Sequence, residues 1–258
     1  MPIKNVVVNC TDVQRSVEYY TKFLELRVVG EPTTERAVLD AVTATVELRA
    51  VGNGRDQTTW SPDDLQKGFR HIGFKVDRLD ERAGVLKAAG VEFKLDPLDA
   101  EGKVRICFFY DPDGTLLEMI QGDLQYAAVL DADGVARERA LGVPQRPRFD
   151  HVAVTIEDRT ATSDYYHEHY GFSFIGTTEQ PQDKRGFSIG YLKGGDTVLE
   201  VFTYEVGKTS REPQLDVAGF AYAELAGDPP ELPAQAAPDG TKVYVDRDGF
   251  AFAVGSEA

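Results

Sequence analysis

Two stretches of the chain read as copies of one another, DPDGTLLEM at residues 111–119 and DRDGFAFAV at residues 246–254. They close a longer duplication. The stretch RFDHVAVTIEDRTATSDYYHEHYG, beginning at Arg148, lies on the N-terminal PIKNVVVNCTDVQRSVEYYTKFLE with an offset of 146, so that His151 falls on Asn5 and Asp158 on Asp12. VAGFAY falls on HIGFKV with the same offset, which pairs Val217 with His71 and Gly219 with Gly73. The closing segments align with an offset of 135 (246 minus 111), so eleven residues (146 minus 135) are missing between these points. A chain with this repetition is expected to stack similar units, because neighbouring units bury one another's sheets.

Each unit reads as βαβββ. IKNVVVNC is a strand, Thr11 or Asp12 offers an N-cap, and Val13, Val17, Tyr20 and Phe23 recur at helical spacing. Three strand candidates follow, ending at Val51, and the plan restarts at Gly68 with GFRHIGFKV, an amphipathic LDERAGVLKAAG, VEFKL, VRICFFY and TLLEMIQ. The fourth copy is eroded, because Pro229, Pro230 and Pro233 forbid a regular helix where the others carry one. Residues 1–122 and 149–258 are therefore expected to be two domains, with 123–148 a linker carrying at most a local turn or hairpin. The paired DPDG and DRDG segments make sense as tight turns and lack a calcium-loop ligand pattern.

Composition narrows the function. A net charge of −15 repels phosphate backbones and anionic lipids, so neither nucleic acid nor membrane is an expected partner. No apolar run approaches the ~18 residues of a membrane helix, and the N-terminus has no export signal, so the expected location is cytoplasmic. Cys10 and Cys107 sit in apolar strands and read as buried thiols. His167 and His169 are two apart on a helix, point to different faces and are expected in solvent. GFSIG, around Ser188, lacks the strand-to-helix turn of a nucleophile elbow.

DHV on the first strand of the second half, DxxxSxxYY, HIGFKV and FFYDPDGTLLEMI resemble the vicinal oxygen chelate superfamily, which includes glyoxalase I, extradiol dioxygenases and bleomycin resistance proteins. The resemblance implies an α+β fold of tandem vicinal-oxygen-chelate domains, four βαβββ units with the fourth eroded, forming cup-shaped mixed sheets. It also implies a divalent ion inside a cup. The matching positions are Asn5, Glu47, His71 and Glu118 in the first half and His151, Glu200, Val217 and Ala253 in the second. Neither set is complete, since Val217 and Ala253 have no donor atom.

Glyoxalase-like members pair the first unit of one domain with the second unit of the other. Under that pairing His71, Glu118, His151 and Glu200 form one full metal site, and Asn5, Glu47, Val217 and Ala253 form an empty one. Alternation agrees for Glu118, whose same-face neighbours Leu116 and Ile120 are apolar. His71 shares a strand face with Phe69, Gly73 and Lys75 on the same reasoning.

The resemblance implies a metal-dependent enzyme carrying one iron, nickel, zinc, manganese or cobalt ion. It would bind a small substrate through adjacent oxygens, with Glu118 or Glu200 moving a proton in isomerase or lyase chemistry. A ring-cleaving Fe(II) dioxygenase is the alternative, and a metal-free protein that sequesters small molecules or drugs is a third. One chain suffices for the site, and a homodimer stays compatible with it.

Overall fold

The computed structural model describes residues 2–255. The first unit runs β1 (Ile3–Cys10), α1 (Val13–Phe23), β2 (Arg27–Val29), β3 (Arg36–Asp40) and β4 (Thr45–Ala50). The second is β5 (Gly68–Lys75), α2 (Leu79–Ala88), β6 (Phe93–Ala100), β7 (Val104–Tyr110) and β8 (Leu116–Gln121). After β9 (Ala128–Val129) and α3 (Ala132–Ala140) comes the third unit, β10 (Arg148–Thr155), α4 (Arg159–Tyr170), β11 (Ser173–Glu179), β12 (Ser188–Gly194) and β13 (Thr197–Thr203). The fourth unit, β14 (Gly219–Ala226), β15 (Ala234–Ala236), β16 (Lys242–Val245) and β17 (Ala251–Gly255), has no helix among the described residues. This is the α+β architecture of tandem vicinal-oxygen-chelate units.

The sheets exchange units. One has the order β15-β16-β17-β14-β1-β4-β3-β2 and joins the first and fourth units, while the other, β6-β7-β8-β5-β10-β13-β12-β11-β9, joins the second and third. A continuous core draws Val6 and Val8 from the first sheet, Ile72 and Phe74 from the second, and Tyr20, Leu86 and Tyr166 from α1, α2 and α4. The opposite sheet faces line two cups with separate apolar clusters, Ile120, Ala153, Ile189 and Phe202 in one and Val7, Tyr222, Val243 and Ala253 in the other. We keep 1–122, 123–148 and 149–258 as a proposal for the duplicated sequence unit, since each sheet draws strands from both sides of that division.

The DxDG turns explain their own repetition. Asp111 Oδ1 accepts the amides of Asp113 at 3.0 Å and Thr115 at 2.7 Å, and Asp246 Oδ1 accepts those of Asp248 and Phe250 at 2.9 Å. The other oxygen of each accepts a helix tyrosine hydroxyl, Tyr20 at 3.0 Å and Tyr166 at 2.8 Å. Each turn thus ties the second unit of a half to the helix of the first. Asp12 and Asp158 cap α1 and α4 by accepting the amides of Arg15 and Ala161, both at 3.0 Å.

The linker holds more than a turn. Asp131 accepts the Gly134 amide at 2.9 Å to start α3, and Val135 is buried in the cluster that contains Ile175. This short helix is stabilised by an N-cap and one apolar anchor, too little periodicity to stand out in a polar stretch. Cys10 and Cys107 are buried free thiols. His167 and His169 are exposed, and Ser188 begins a strand, with its hydroxyl bonded to Arg159 and Thr203. Among the described residues no helix is long and apolar enough to cross a membrane.

Candidate metal centre

His71 stands on β5, Glu118 on β8, His151 on β10 and Glu200 on β13, four neighbouring strands of one sheet. Their nearest donor atoms all lie within 4.8 Å of one another. The two imidazole Nε2 atoms are 3.1 Å apart, and Glu118 Oε2 is 2.9 Å from His71 Nε2 and 3.0 Å from that of His151. Glu200 Oε2 is farther, at 3.6 and 3.4 Å. All four are nearly dry, at 1, 4, 2 and 5% exposed for His71, Glu118, His151 and Glu200.

Two β-bulges aim these side chains. Across β10 and β5, Phe149 pairs with Phe74 and His151 with Gly73, leaving Asp150 without a partner; Ala153 pairs with His71 and Val154 with Phe69, leaving Arg70 without one. A bulge puts consecutive residues on one face. Hence Asp150 joins His151 beside the cup, while Arg70 joins His71 there and Phe69 turns into the core with Ile72 and Phe74. The simple alternation that placed Phe69 beside His71 is corrected by this bulge.

Asp150 Oδ2 lies 3.0 Å from His151 Nδ1, which orients the ring so that Nε2 faces the other donors. Burial would raise the Asp150 carboxyl, but the bond to His151 and the charge of Lys75 hold it well below the usual range. Burial would likewise raise Glu118, yet bonds to His151 and His71 outweigh it and hold Glu118 down at about 2. For His151, burial opposes the charge and is overcome by Glu200, Asp150 and Glu118, which raise it well above an ordinary histidine. Two carboxylates and two imidazoles thus meet almost out of water, a set of donors suited to a bound cation. Donors bound to one transition ion at about 2.1 Å lie roughly 3 to 3.5 Å apart, so the set fits such an ion in both spacing and chemistry.

Gly73 makes room for the ring. A Cβ built there would sit 2.1 Å from His151 Cε1. The glycine was visible in HIGF, and a glycine inside a strand often marks close approach; Asp150 gave no such signal, because adjacent strand residues ordinarily face apart.

A cavity of about 520 Å³ opens over the donors, walled by Ile106, Phe108, Ile120, Ile189 and Phe202. Two cations that line it, Arg70 at 2.8 Å and Lys94 at 3.5 Å, converge on one carboxylate, Asp64, which Arg185 also reaches at 3.2 Å. The Arg70 guanidinium also lies 4.2 Å over the Phe202 ring.

The other cup is closed differently. Glu47 is clasped by Arg36 through Nε at 2.6 Å and Nη2 at 2.9 Å, and by Arg49 Nε at 2.6 Å. Asn5 Nδ2 donates to Glu47 at 3.4 Å. The pairing of β1 with β14 repeats both bulges, at Lys4 and Ala221, and sets Val7 opposite Tyr222 as Ala153 is opposite His71. The counterpart of His71 is thus Tyr222, at an offset of 151 (222 minus 71), and not Val217. The shared GF pair of VAGFAY and HIGFKV misaligned this strand by five residues (222 minus 217). Glu224 stands opposite Asn5, where the metal cup has Gly73 opposite His151.

Residues 3–119 match the sequence model of the Glyoxalase/Bleomycin resistance protein/Dioxygenase superfamily. A probable chloroplastic lactoylglutathione lyase from Arabidopsis thaliana is 25% identical over 236 residues, 86% of this chain and 58% of that protein, so the chain spans little more than half of that relative. A probable lactoylglutathione lyase from Vibrio cholerae is 26% identical over 139 residues, 49% of this chain and 95% of its own length. The crystal structure of glyoxalase I from Zea mays matches in fold, with a TM-score of 0.66 at 19% identity over 98% of this chain and 91% of that one.

Proposed function

We propose, for a chain whose residues 3–119 match the Glyoxalase/Bleomycin resistance protein/Dioxygenase superfamily, that His71, Glu118, His151 and Glu200 hold one divalent transition ion and that the protein is a glyoxalase-like lyase or isomerase. The observation carrying this reading is the convergence of four buried donors, two from each half, beneath an apolar cavity. A divalent ion there would act as a Lewis acid toward two adjacent substrate oxygens.

The chain's own groups would do the rest. Glu118, bonded to both imidazoles, would help hold the ion, whereas the more distant Glu200 would be the base that takes a proton from substrate carbon and returns it to the neighbouring one. Phe108, Ile189 and Phe202 exclude water around that transfer and accept an apolar substrate body. With Arg70, Lys94 and Arg185 engaged by Asp64, orientation of the substrate rests on its two oxygens and on these walls.

A second reading rests on the same longer Glu200 distances. If Glu200 stands off, His71, His151 and Glu118 make a two-histidine, one-carboxylate face suited to Fe(II) and oxygen chemistry. A metal-free sequestering role has no use for four converging donors.

The test is metal analysis of protein purified without chelator, followed by assays of lactoylglutathione and of α-hydroxycarbonyl compounds in D2O. The lyase or isomerase reading expects about one metal per chain and solvent deuterium at substrate carbon. Oxygen consumption with catechols and no deuterium exchange would replace it with the dioxygenase, and absence of metal after reloading would defeat both.

A further inference from the structure

A different constellation lies on the seam between the halves. The turn at Asp113–Thr115 and the segment containing Arg55, Thr58 and Trp60 face Arg211, Gln214 and Phe220 around a cavity of about 110 Å³. None of the four metal donors lines it. Its aromatic side is rigid, since Phe69 and Phe220 stack at 4.0 Å with planes 3° apart and Trp60 tilts onto Phe69 at 6.1 Å.

Two polar groups beside it lack partners. Thr115, 1% exposed, has a buried hydroxyl with no hydrogen bond, and Arg211 Nε is buried without one. Arg211 Nη1 donates to the Glu212 carbonyl at 3.5 Å. Burial, unopposed by any carboxylate among the described residues, pushes Arg211 down to about 10. Arg55 meets Glu92 only at 3.6 Å and lies against the turn, where a Cβ on Gly114 would come within 2.5 Å of its Cδ. Asp113 also borders the cavity, but its carboxylate already accepts the Thr11 hydroxyl at 2.7 Å and pairs with Arg15 at 2.6 Å. Such an uncompensated guanidinium is unusual in a chain of net charge −15.

We propose that this seam cavity is a binding site for a small oxyanion, phosphate or a short carboxylate, held between Arg211 and Arg55 with the Thr115 hydroxyl as a further donor. An oxyanion supplies acceptors to Arg211 Nε and the Thr115 hydroxyl, which otherwise stay buried and unpaired, the condition that makes burial of polar atoms costly, while the half-exposed Arg55 adds charge from the solvent side. The cavity volume limits the occupant to a few non-hydrogen atoms. Because Arg55 and Thr115 come from the first half and Arg211 from the second, a bound anion links the halves whose strands build the metal cup.

Trp60 is the chain's single tryptophan and borders the cavity, so its fluorescence reports the site. The full chain is titrated with inorganic phosphate and, separately, with acetate at constant ionic strength, and His71→Ala serves as a control for anions bound at a metal. The expected result is a saturable change with at least one anion, half-complete on the order of 1 mM, and unaltered in His71→Ala. Arg211→Gln should raise the half-saturation point at least tenfold, with smaller increases for Arg55→Gln and Thr115→Val. The tighter of phosphate and acetate identifies the source. Should Arg211→Gln fail to fold, Arg55→Gln and Thr115→Val decide. No saturable change with either anion, a response lost in His71→Ala, or unchanged half-saturation in every folded variant overturns the site.

Discussion

Gly73 and His151 face each other across β5 and β10, and the imidazole occupies the space a side chain on residue 73 would need. A Cβ there would come within 2.1 Å of the ring, so the metal cup depends on an absent side chain as much as on its four donors.

Gly73→Ala should therefore displace His151 and abolish metal retention while the fold survives. The overpacking cost is expected at about 1 to 3 kcal/mol. Elemental analysis beside thermal unfolding checks this, and full metal content in the variant would show that the ring has other room.

His71→Ala and His151→Ala should each abolish metal retention although they lie 80 positions apart (151 minus 71). Asn5→Ala should not. Since one chain supplies all four donors, a mixture of the two inactive histidine variants should recover no activity; recovery would mean that sites form between chains.

Asp150→Asn leaves the four donors in place but weakens the hold on His151 Nδ1. Metal affinity is expected to fall roughly 10- to 100-fold without complete loss. A competition titration with a chromophoric chelator measures it, and unchanged affinity would make Asp150 irrelevant to the ring's orientation.

The second cup should resist repair. Asn5→His with Tyr222→His and Ala253→Glu supplies ligands on paper, yet Arg36 and Arg49 still occupy Glu47 and Glu224 still stands opposite residue 5. No second equivalent of metal is expected until Glu224→Gly, Arg36→Ala and Arg49→Ala are added. A second equivalent in the triple variant alone would show that ligand loss was the sole barrier.

Asp111 and Asp246 carry a pH dependence of opposite sign to Glu118. Burial pushes both aspartates up to about 6, so the folded state holds their protons more tightly than the unfolded chain does. Their contribution is full below about pH 4 and is lost as pH rises through 6, on the order of 2 to 3 kcal/mol each. Glu118, held down at about 2, contributes above its ordinary range and loses that contribution as pH falls toward 2. Unfolding of Asp111→Asn and Asp246→Asn between pH 4 and 7 should show a shallower decline than the parent; an unaltered slope removes these groups as its source.

The sequence by itself determined the repetition, the βαβββ order of three units and the loss of a helix from the fourth. These were legible because strand and helix periods, turn residues and prolines act within a few residues of themselves. His71, Glu118, His151 and Glu200 were singled out only through the resemblance to a family, since no local pattern brings residues from two halves to one point. Only the tertiary structure decided which residue answers His71 in the other cup, how Asp150 and Arg70 come to share faces with the histidines beside them, and how Arg36 and Arg49 close over Glu47. Each of these depends on register between strands or on contacts between them. A single bulge changes the face of a side chain while leaving the local pattern intact, so Tyr222 in place of Val217 could be found only from the strand opposite.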